Sequence, residues 1–461
     1  MVRPPGRGRT AGPLTPARLP TPARLLARAG LLARAGLLTR RRAPDAPRRH
    51  EGNEDTEMRI LVTTTSWRGL YFCMVPLGWA FQAAGHEVRV TCARSQSESI
   101  SRAGLTAVPI GEDLDFMRLE RLARFEAAER RDAAGGTGTA ALLHPVTGEP
   151  IAGVGDCRPG ERGDGYRQEF ARLSLRGHDA VVEYARLWRP DLIVHDAMCG
   201  EGVLAAEVTG VPSVYCSPGL FGGNEVSLGS PEAFAKYGVA RDHSLIRHTL
   251  DPTPVEIGID HGGRSVLPVR YQPYNGPGEV PAWLSEEPKR PRIAVIVNRG
   301  TTGIFGPVPA LRRAIDRVVA LGAEPVVTVS RHRVDSLDGL AGEARVLADF
   351  PLNLLMPTST AIIHHGSVSA IMTAAAAGIP QLALGLTDDG TEMARRYSRT
   401  GAGTCLPGLE ATGDQISAAV DALLTDDGLR DAARRVRNDI SGRPSMADMV
   451  APLEELAGSA R

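Results

Sequence analysis

Short apolar runs alternate with amphipathic ones along most of this chain, and the alternation runs its course twice. From Met58 on, Met58–Thr64 reads as a buried strand. Pro76–Ala84 reads as a helix, with proline at its start and Gly85 as its stop, and Glu87–Cys92 as the next strand. Asp191–His195 and Ser213–Ser217 are further strands between helical runs. This is the rhythm of βαβ units, which build parallel sheets. A Pro/Gly-rich stretch follows, YQPYNGPGEVPAWL within about 255–288, and then the rhythm restarts. Arg292–Asn298, Pro325–Ser330, Ala344–Ala348, Ala361–His365 and Gln381–Leu384 read as strands, with a long helix near Gly413–Leu424. The expected architecture is α/β: two Rossmann-like domains, residues 58–260 and 289–461, joined by a linker at 261–288 and facing each other across a cleft. Ligands of such sheets bind at the carboxyl ends of the strands, which places the site in that cleft.

Two segments break the pattern. Residues 132–164 are rich in Gly, Pro and Thr and read as a loop insertion at the mouth of the first domain, where an acceptor molecule would be recognised. Residues 1–57 carry twelve Arg against five acids and repeat themselves as LLARAGLLARAGLL. They read as a disordered or spurious extension ahead of a start at Met58, with a transit peptide or membrane-surface helix as the other reading.

Charge and cysteine usage narrow the function classes. The net charge of zero leaves the body beyond residue 57 mildly acidic, which argues against a nucleic-acid binder. Any phosphate site must therefore be local and built largely from backbone. The six cysteines are scattered with no C-x-x-C pair, as in a reduced cytoplasmic protein without a zinc site. No apolar run approaches the length of a membrane span.

The stretch AIIHHGSVSAIMTAAAAGIPQLALGLTDDG, residues 361–390, carries the most chemistry. A strand ends at His364-His365-Gly366 and a helix starts near Ser367. The first turn of a helix exposes amide hydrogens and a positive dipole end, a ready site for phosphate. His365, Ser367 and Ser369 add donors to a diphosphate there. Asp388 and Asp389 follow the next strand, where carboxylates accept bonds from sugar hydroxyls or else cap a helix starting near Thr391. Thr301 and Thr302, after the strand IAVIVN, suit contact with phosphate oxygens.

On these motifs the chain from Met58 resembles the GT-B-fold glycosyltransferases that attach deoxysugars to polyketide and other natural-product aglycones. It is most similar to the branch that works with a cytochrome-P450-like helper protein. The resemblance rests on VPLGWAFQAAGHEVRV (75–90), AGLTAVPIG (103–111), RPDLIVHD (189–196), VRYQPYNGPGEVPAWL (269–284), LLMPTSTAIIHHG (354–366), GIPQLAL (378–384) and MVAPLEEL (449–456). It implies that His365 and Gly366 contact the donor diphosphate with Thr301 and Thr302 nearby, and that Asp389 binds the sugar. It also implies a dTDP-linked donor, inversion at the anomeric carbon, and no metal or other cofactor. The partners implied are a nucleotide sugar, a hydrophobic aglycone and the helper.

The chain departs from the family at three places. Gly366-Ser367-Val368-Ser369-Ala370 replaces the usual Gly-Gly-Ala-Gly-Thr, and Asp388 stands where Trp commonly precedes the acid. Leu70 aligns with the loop histidine that relatives use as base, and leucine accepts no proton. The substitute base pair is His195 with Asp196 at the end of DLIVHD, unless His195 only packs beneath the cleft. These departures motivate a second reading: a catalytically impaired partner subunit that binds donor or aglycone without turnover. A third is a sugar-nucleotide epimerase on the same fold. Asp113-Leu114-Asp115 matches a metal motif of another glycosyltransferase fold, but reads here as surface charge.

Overall fold

The computed structural model describes residues 57–135, 142–158, 160–163, 165–297, 303–305, 308–331 and 344–459. All of the N-terminal extension but Glu57 lies outside them, as do Thr301 and Thr302.

The first domain holds a seven-stranded parallel sheet. Its strands are β1 (Arg59–Thr63), β2 (Glu87–Ala93), β3 (Thr106–Gly111), β6 (Leu192–His195), β7 (Ser213–Cys216), β8 (His248–Asp251) and β9 (Ser265–Pro268). They lie in the order β3-β2-β1-β6-β7-β8-β9. A separate small hairpin, β4 (Leu142–Leu143) with β5 (Pro150–Ile151), sits in the loop insertion. Helices cover both faces of the sheet: α1 (Val75–Ala83) on one, and α3 (Tyr166–Trp188) with α4 (Gly200–Thr209) on the other. Helix α2 (Phe116–Ala133) leads into the insertion. Being covered on both sides, the central strands read as continuous apolar runs. In β6 every residue is buried.

The second domain repeats the plan with six parallel strands. These are β10 (Arg292–Val297), β11 (Glu324–Val329), β12 (Arg345–Ala348), β13 (Ala361–His364), β14 (Gln381–Gly385) and β15 (Gly403–Pro407), in the order β12-β11-β10-β13-β14-β15. Its helices are α5 (Pro309–Ala320), α6 (Val368–Ala377), α7 (Asp388–Ser398), α8 (Gly413–Thr425) and α9 (Asp427–Ser441). In each sheet the order reverses beside the first strand, between β1 and β6 and between β10 and β13. Those are the two crevices where ligands of such sheets bind.

The expected domain boundaries shift at two places. The linker expected from 261 begins later, because Ser265–Pro268 completes the first sheet. The last helix, α10 (Val450–Ser459), leaves the second domain and returns to the first. Met446, Met449, Val450, Leu453 and Ala457 pack in one core with Met58, Ile60, Val75 and Phe81. Leu453 is completely enclosed, worth about 2 kcal/mol by apolar burial.

Several contacts fasten the domains together. Arg396 of α7 pairs both Glu225 oxygens, at 2.9 and 2.7 Å, and donates to Leu220 O at 2.8 Å. Asn275 of the linker donates to Thr373 on α6 (3.3 Å), and its side-chain oxygen accepts from the Asn353 amide (3.0 Å). A forked guanidinium–carboxylate pair that is half-buried is worth more than an exposed one. Arg396→Ala is expected to cost about 1–2 kcal/mol in denaturant unfolding; an unchanged midpoint would show the pair to be solvent-screened.

Candidate active site

The second-domain crevice is built by a chain of buried hydrogen bonds. His364 ends β13 and is enclosed. Its Nδ1 accepts the Gly366 amide hydrogen at 3.1 Å, so its proton sits on Nε2 and is donated to Gln381 Oε1 at 3.0 Å. Gln381 in turn donates to Ile371 O (3.0 Å), tying β14 to α6. Burial pushes the His364 pKa down to about 4, which keeps the ring neutral. Gly366 has φ 94°, and a β-carbon there would lie 2.6 Å from Gly390 O. Only glycine lets the turn before α6 close against the start of α7. Two helix N-termini thereby meet.

The Gly366 amide is committed to His364. The donors left for a ligand are the first-turn amides from Ser367 onward, which no helix satisfies internally. Ser367 is the N-cap residue of α6, and its side chain makes no capping bond. Ser367 and Ser369 are both half-buried. His365 is half-buried as well, and desolvation followed by the neighbouring His364 lowers its pKa to about 3. It is therefore a neutral hydrogen-bonding group rather than a cation.

Asp388 and Asp389 form the first turn of α7, three residues earlier than the helix start expected at Thr391. The cap is Thr387, whose Oγ1 accepts the Gly390 amide hydrogen at 3.0 Å. Both carboxylates are thus released from capping and benefit from the dipole end of α7. Across the cleft they face α2 of the first domain. Burial raises the pKa of Glu120 there; Arg124 opposes the rise, and Asp389 and Asp388 add to it. The Arg124 guanidinium lies 4.3 Å from the Phe305 ring centre, and Arg121 donates to Gly303 O at 3.0 Å. Arg121 also reaches Pro145 O of the insertion at 3.3 Å, so one side chain links helix, insertion and second domain.

His195 and Asp196 lie side by side at the end of β6, both wholly buried. His195 Nδ1–H donates to Asp196 O (3.1 Å), and the ring stacks on Tyr215 at 5.7 Å. Desolvation pushes its pKa down to about 4. The Asp196 carboxylate does not meet the imidazole. It accepts from Thr64 Oγ1 (2.7 Å), the Thr65 amide (3.2 Å) and the Met198 amide (2.7 Å). Its pKa is pushed up to about 6 by burial, against the pull of those bonds. In place of the expected pairing, in which carboxylate raises imidazole basicity, Asp196 is fully bonded elsewhere, and His195 keeps a buried Nε2 with no hydrogen-bond partner among the described residues. Leu70 sits in a short helix, Arg68–Tyr71, and packs half-buried against the core on the α3/α4 side.

Asp113 and Asp115 are exposed, and Asp115 caps α2 through the Arg118 amide at 2.9 Å. Among the described residues no three His, Cys, Asp or Glu side chains gather as a metal centre. No helix among them is long and apolar enough to cross a membrane. Motif reading passed over Glu120 and Arg124, which lie within a helix that only the folded cleft sets opposite Asp388.

Comparison with known proteins places the fold in a family. The family described as Erythromycin biosynthesis protein CIII-like matches through its N-terminal domain at residues 79–134 and 167–298, and through its C-terminal domain at 312–456. The chain is 30% identical over 448 residues to a 3-alpha-mycarosylerythronolide B desosaminyl transferase of Saccharopolyspora erythraea, covering 88% of this chain and 99% of that one. Among solved structures, spinosyn forosaminyltransferase SpnP superposes with TM-score 0.67 at 27% identity, over 87% of this chain and 99% of that one. Glycosyltransferase VinC in complex with dTDP gives 0.66 at 27%, over 87% and 100%. The fold and these relatives define a GT-B glycosyltransferase. The chain belongs to the Erythromycin biosynthesis protein CIII-like family, whose members here are sugar transferases acting on secondary-metabolite aglycones.

Proposed function

We propose that this enzyme moves a deoxysugar from a dTDP donor onto a polyketide-type aglycone, inverting the anomeric carbon without a metal, in the cytoplasm. The observation that carries the reading is the closed turn at Gly366, which holds the N-termini of α6 and α7 together. A diphosphate seated there takes hydrogen bonds from the α6 amides, from the Ser367 and Ser369 hydroxyls and from His365. Charge that develops on the leaving diphosphate is stabilised by groups already in place. Asp388 and Asp389 hold the sugar hydroxyls. The dTDP found in VinC supports the choice of nucleotide. Thr301 and Thr302 complete the phosphate contacts in this reading, on the resemblance alone.

In the first domain, His195 and Asp196 act as positioning residues. Asp196 fixes Thr64 and Thr65 at the floor of the cleft, and His195 fills the space beneath. The P450-like helper belongs to the same reading through the family resemblance. The decisive assay incubates the protein, with and without such a helper, with dTDP and UDP sugars and a panel of aglycones. Glycoside product is detected by mass; an isomerised nucleotide sugar without glycoside would refute transfer. His365→Ala is expected to weaken dTDP binding about tenfold, the loss of one charge-assisted bond. Unchanged affinity in a calorimetric titration would remove His365 from the diphosphate site.

A further inference from the structure

The crevice of the first sheet lies where its strand order reverses, between β1 and β6. Thr64, Thr65 and Ser66 after β1, Ala93 at the end of β2, Glu112 after β3, and Cys199 and Glu201 beyond β6 line a pocket of about 20 Å³ there. That is room for one hydroxyl group or water.

Glu201 is driven to this place by its neighbours. A β-carbon on Gly200 would lie 2.0 Å from Leu228 O, and one on Gly202 would lie 2.2 Å from Thr63 Oγ1. The first turn of α4 is thus pressed between the backbone of residue 228 and strand β1, with Glu201 held between two obligatory glycines. The carboxylate lies beside Gly177 of α3, where a β-carbon would make an ordinary contact with Glu201 Oε1 at 3.4 Å.

Every other carboxylate near the pocket is occupied. Glu112 pairs with Arg176 at 2.9 Å, and Asp196 already accepts three hydrogen bonds. Glu201 has only the buried His178 behind it, Nδ1 to Oε1 at 3.7 Å, and that nitrogen's short contact is to Ser174 O at 2.7 Å. The Glu201 side chain is 12% exposed. Its charge is among the causes, after burial, that raise the pKa of Asp196 and of Cys199. The groups that face it are therefore His178 from α3, Asp196 and Cys199 from the segment before α4, and the Glu112–Arg176 pair across the pocket.

We propose that Glu201 is the base of the transfer, in place of the loop histidine that Leu70 replaces; this rests on the function proposed above. The acceptor's hydroxyl enters the pocket and gives its proton to a Glu201 oxygen. The hydroxyl oxygen then bonds to the anomeric carbon, as the bond from that carbon to the diphosphate oxygen breaks and its electron pair departs with the diphosphate. Atoms and charge balance without metal or oxidant.

The test uses the full chain with a dTDP sugar and aglycone that give product. Glu201→Gln, which keeps the shape, is expected to lower kcat by about 100-fold or more, the usual worth of a general base. KM and dTDP affinity should stay within about twofold, and the unfolding midpoint should not move. Glu201→Asp, which keeps the carboxylate, should recover part of the lost rate. A Glu201→Gln rate within about threefold of wild type overturns the proposal, as does a loss of dTDP affinity or stability in step with the rate. Wild type that binds dTDP yet makes no glycoside overturns the transfer reading itself, and this base with it.

Discussion

Gly366→Ala is expected to abolish measurable sugar transfer and to destabilise the second domain. Alanine at φ 94° is strained by about 1–2 kcal/mol before any contact is considered. Its β-carbon would then press on Gly390 O at 2.6 Å. Neither partner is a flexible side-chain tip; both belong to tight backbone at helix starts. The turn must open, and opening it pulls the His364 ring from the Gly366 amide and parts the two N-termini proposed to seat the diphosphate. A stability loss of roughly 2–4 kcal/mol follows, with dTDP affinity down by about tenfold or more. Ser367→Ala is the matched control, since it removes a hydroxyl and leaves the turn intact. Thermal unfolding and calorimetric titration with dTDP check both effects. A Gly366→Ala protein with wild-type midpoint and affinity would mean that the turn tolerates displacement and is not the seat.

The strands that form both sheet centres are legible in the sequence because they are buried on both faces. Their runs are continuous, and RIAVIV in β10 or QLALG in β14 leaves little else to choose. The two edge strands of the first sheet are a different matter. Thr106–Gly111 and Ser265–Pro268 are only partly buried, contain proline and were not marked out. Pairing with a neighbour, rather than apolar content, makes them strands. The return of α10 to the first domain leaves no local trace either, since Leu453 would serve equally well in either core.

The site shows the same division. A strand, a positive-φ glycine and a helix start at 364–368 are local features, and local pattern finds them. The commitment of the Gly366 amide to His364 is local in sequence but invisible without the ring's orientation. The separation of His195 from the Asp196 carboxylate likewise depends on which way two adjacent side chains point. For Glu201 a signal did exist. Gly-Glu-Gly a short turn after a strand marks a helix pressed against a sheet, as the glycines of a dinucleotide turn do.

Acidification from pH 7 to 5 is expected to weaken the fold by roughly 2–3 kcal/mol, and His195 is expected to supply much of the loss. His195 and His364 are wholly enclosed, with pKa values pushed down to about 4 from the usual 6.5. Below about 6.5 the unfolded chain takes up protons that the folded protein refuses, so stability falls as pH falls until the folded values near 4 are reached. At pH 5 each imidazole has surrendered on the order of 2 kcal/mol. Asp196 acts in the opposite sense. Its folded pKa is raised to about 6, so the folded protein holds a proton that the unfolded chain releases, and its contribution improves as pH drops toward 4. It offsets about 1 kcal/mol over the same range. His365 is half-buried, and solvent screening leaves its share small. His195→Asn should flatten the dependence by about the share of one imidazole, whereas Asp196→Asn should steepen it. Urea unfolding at pH 5, 6 and 7 reads both slopes. Equal stability at pH 5 and 7, or a His195→Asn slope identical to wild type, would show that the imidazole beneath the cleft is open to solvent protons. In that case His195 regains its claim to handle the acceptor's proton directly.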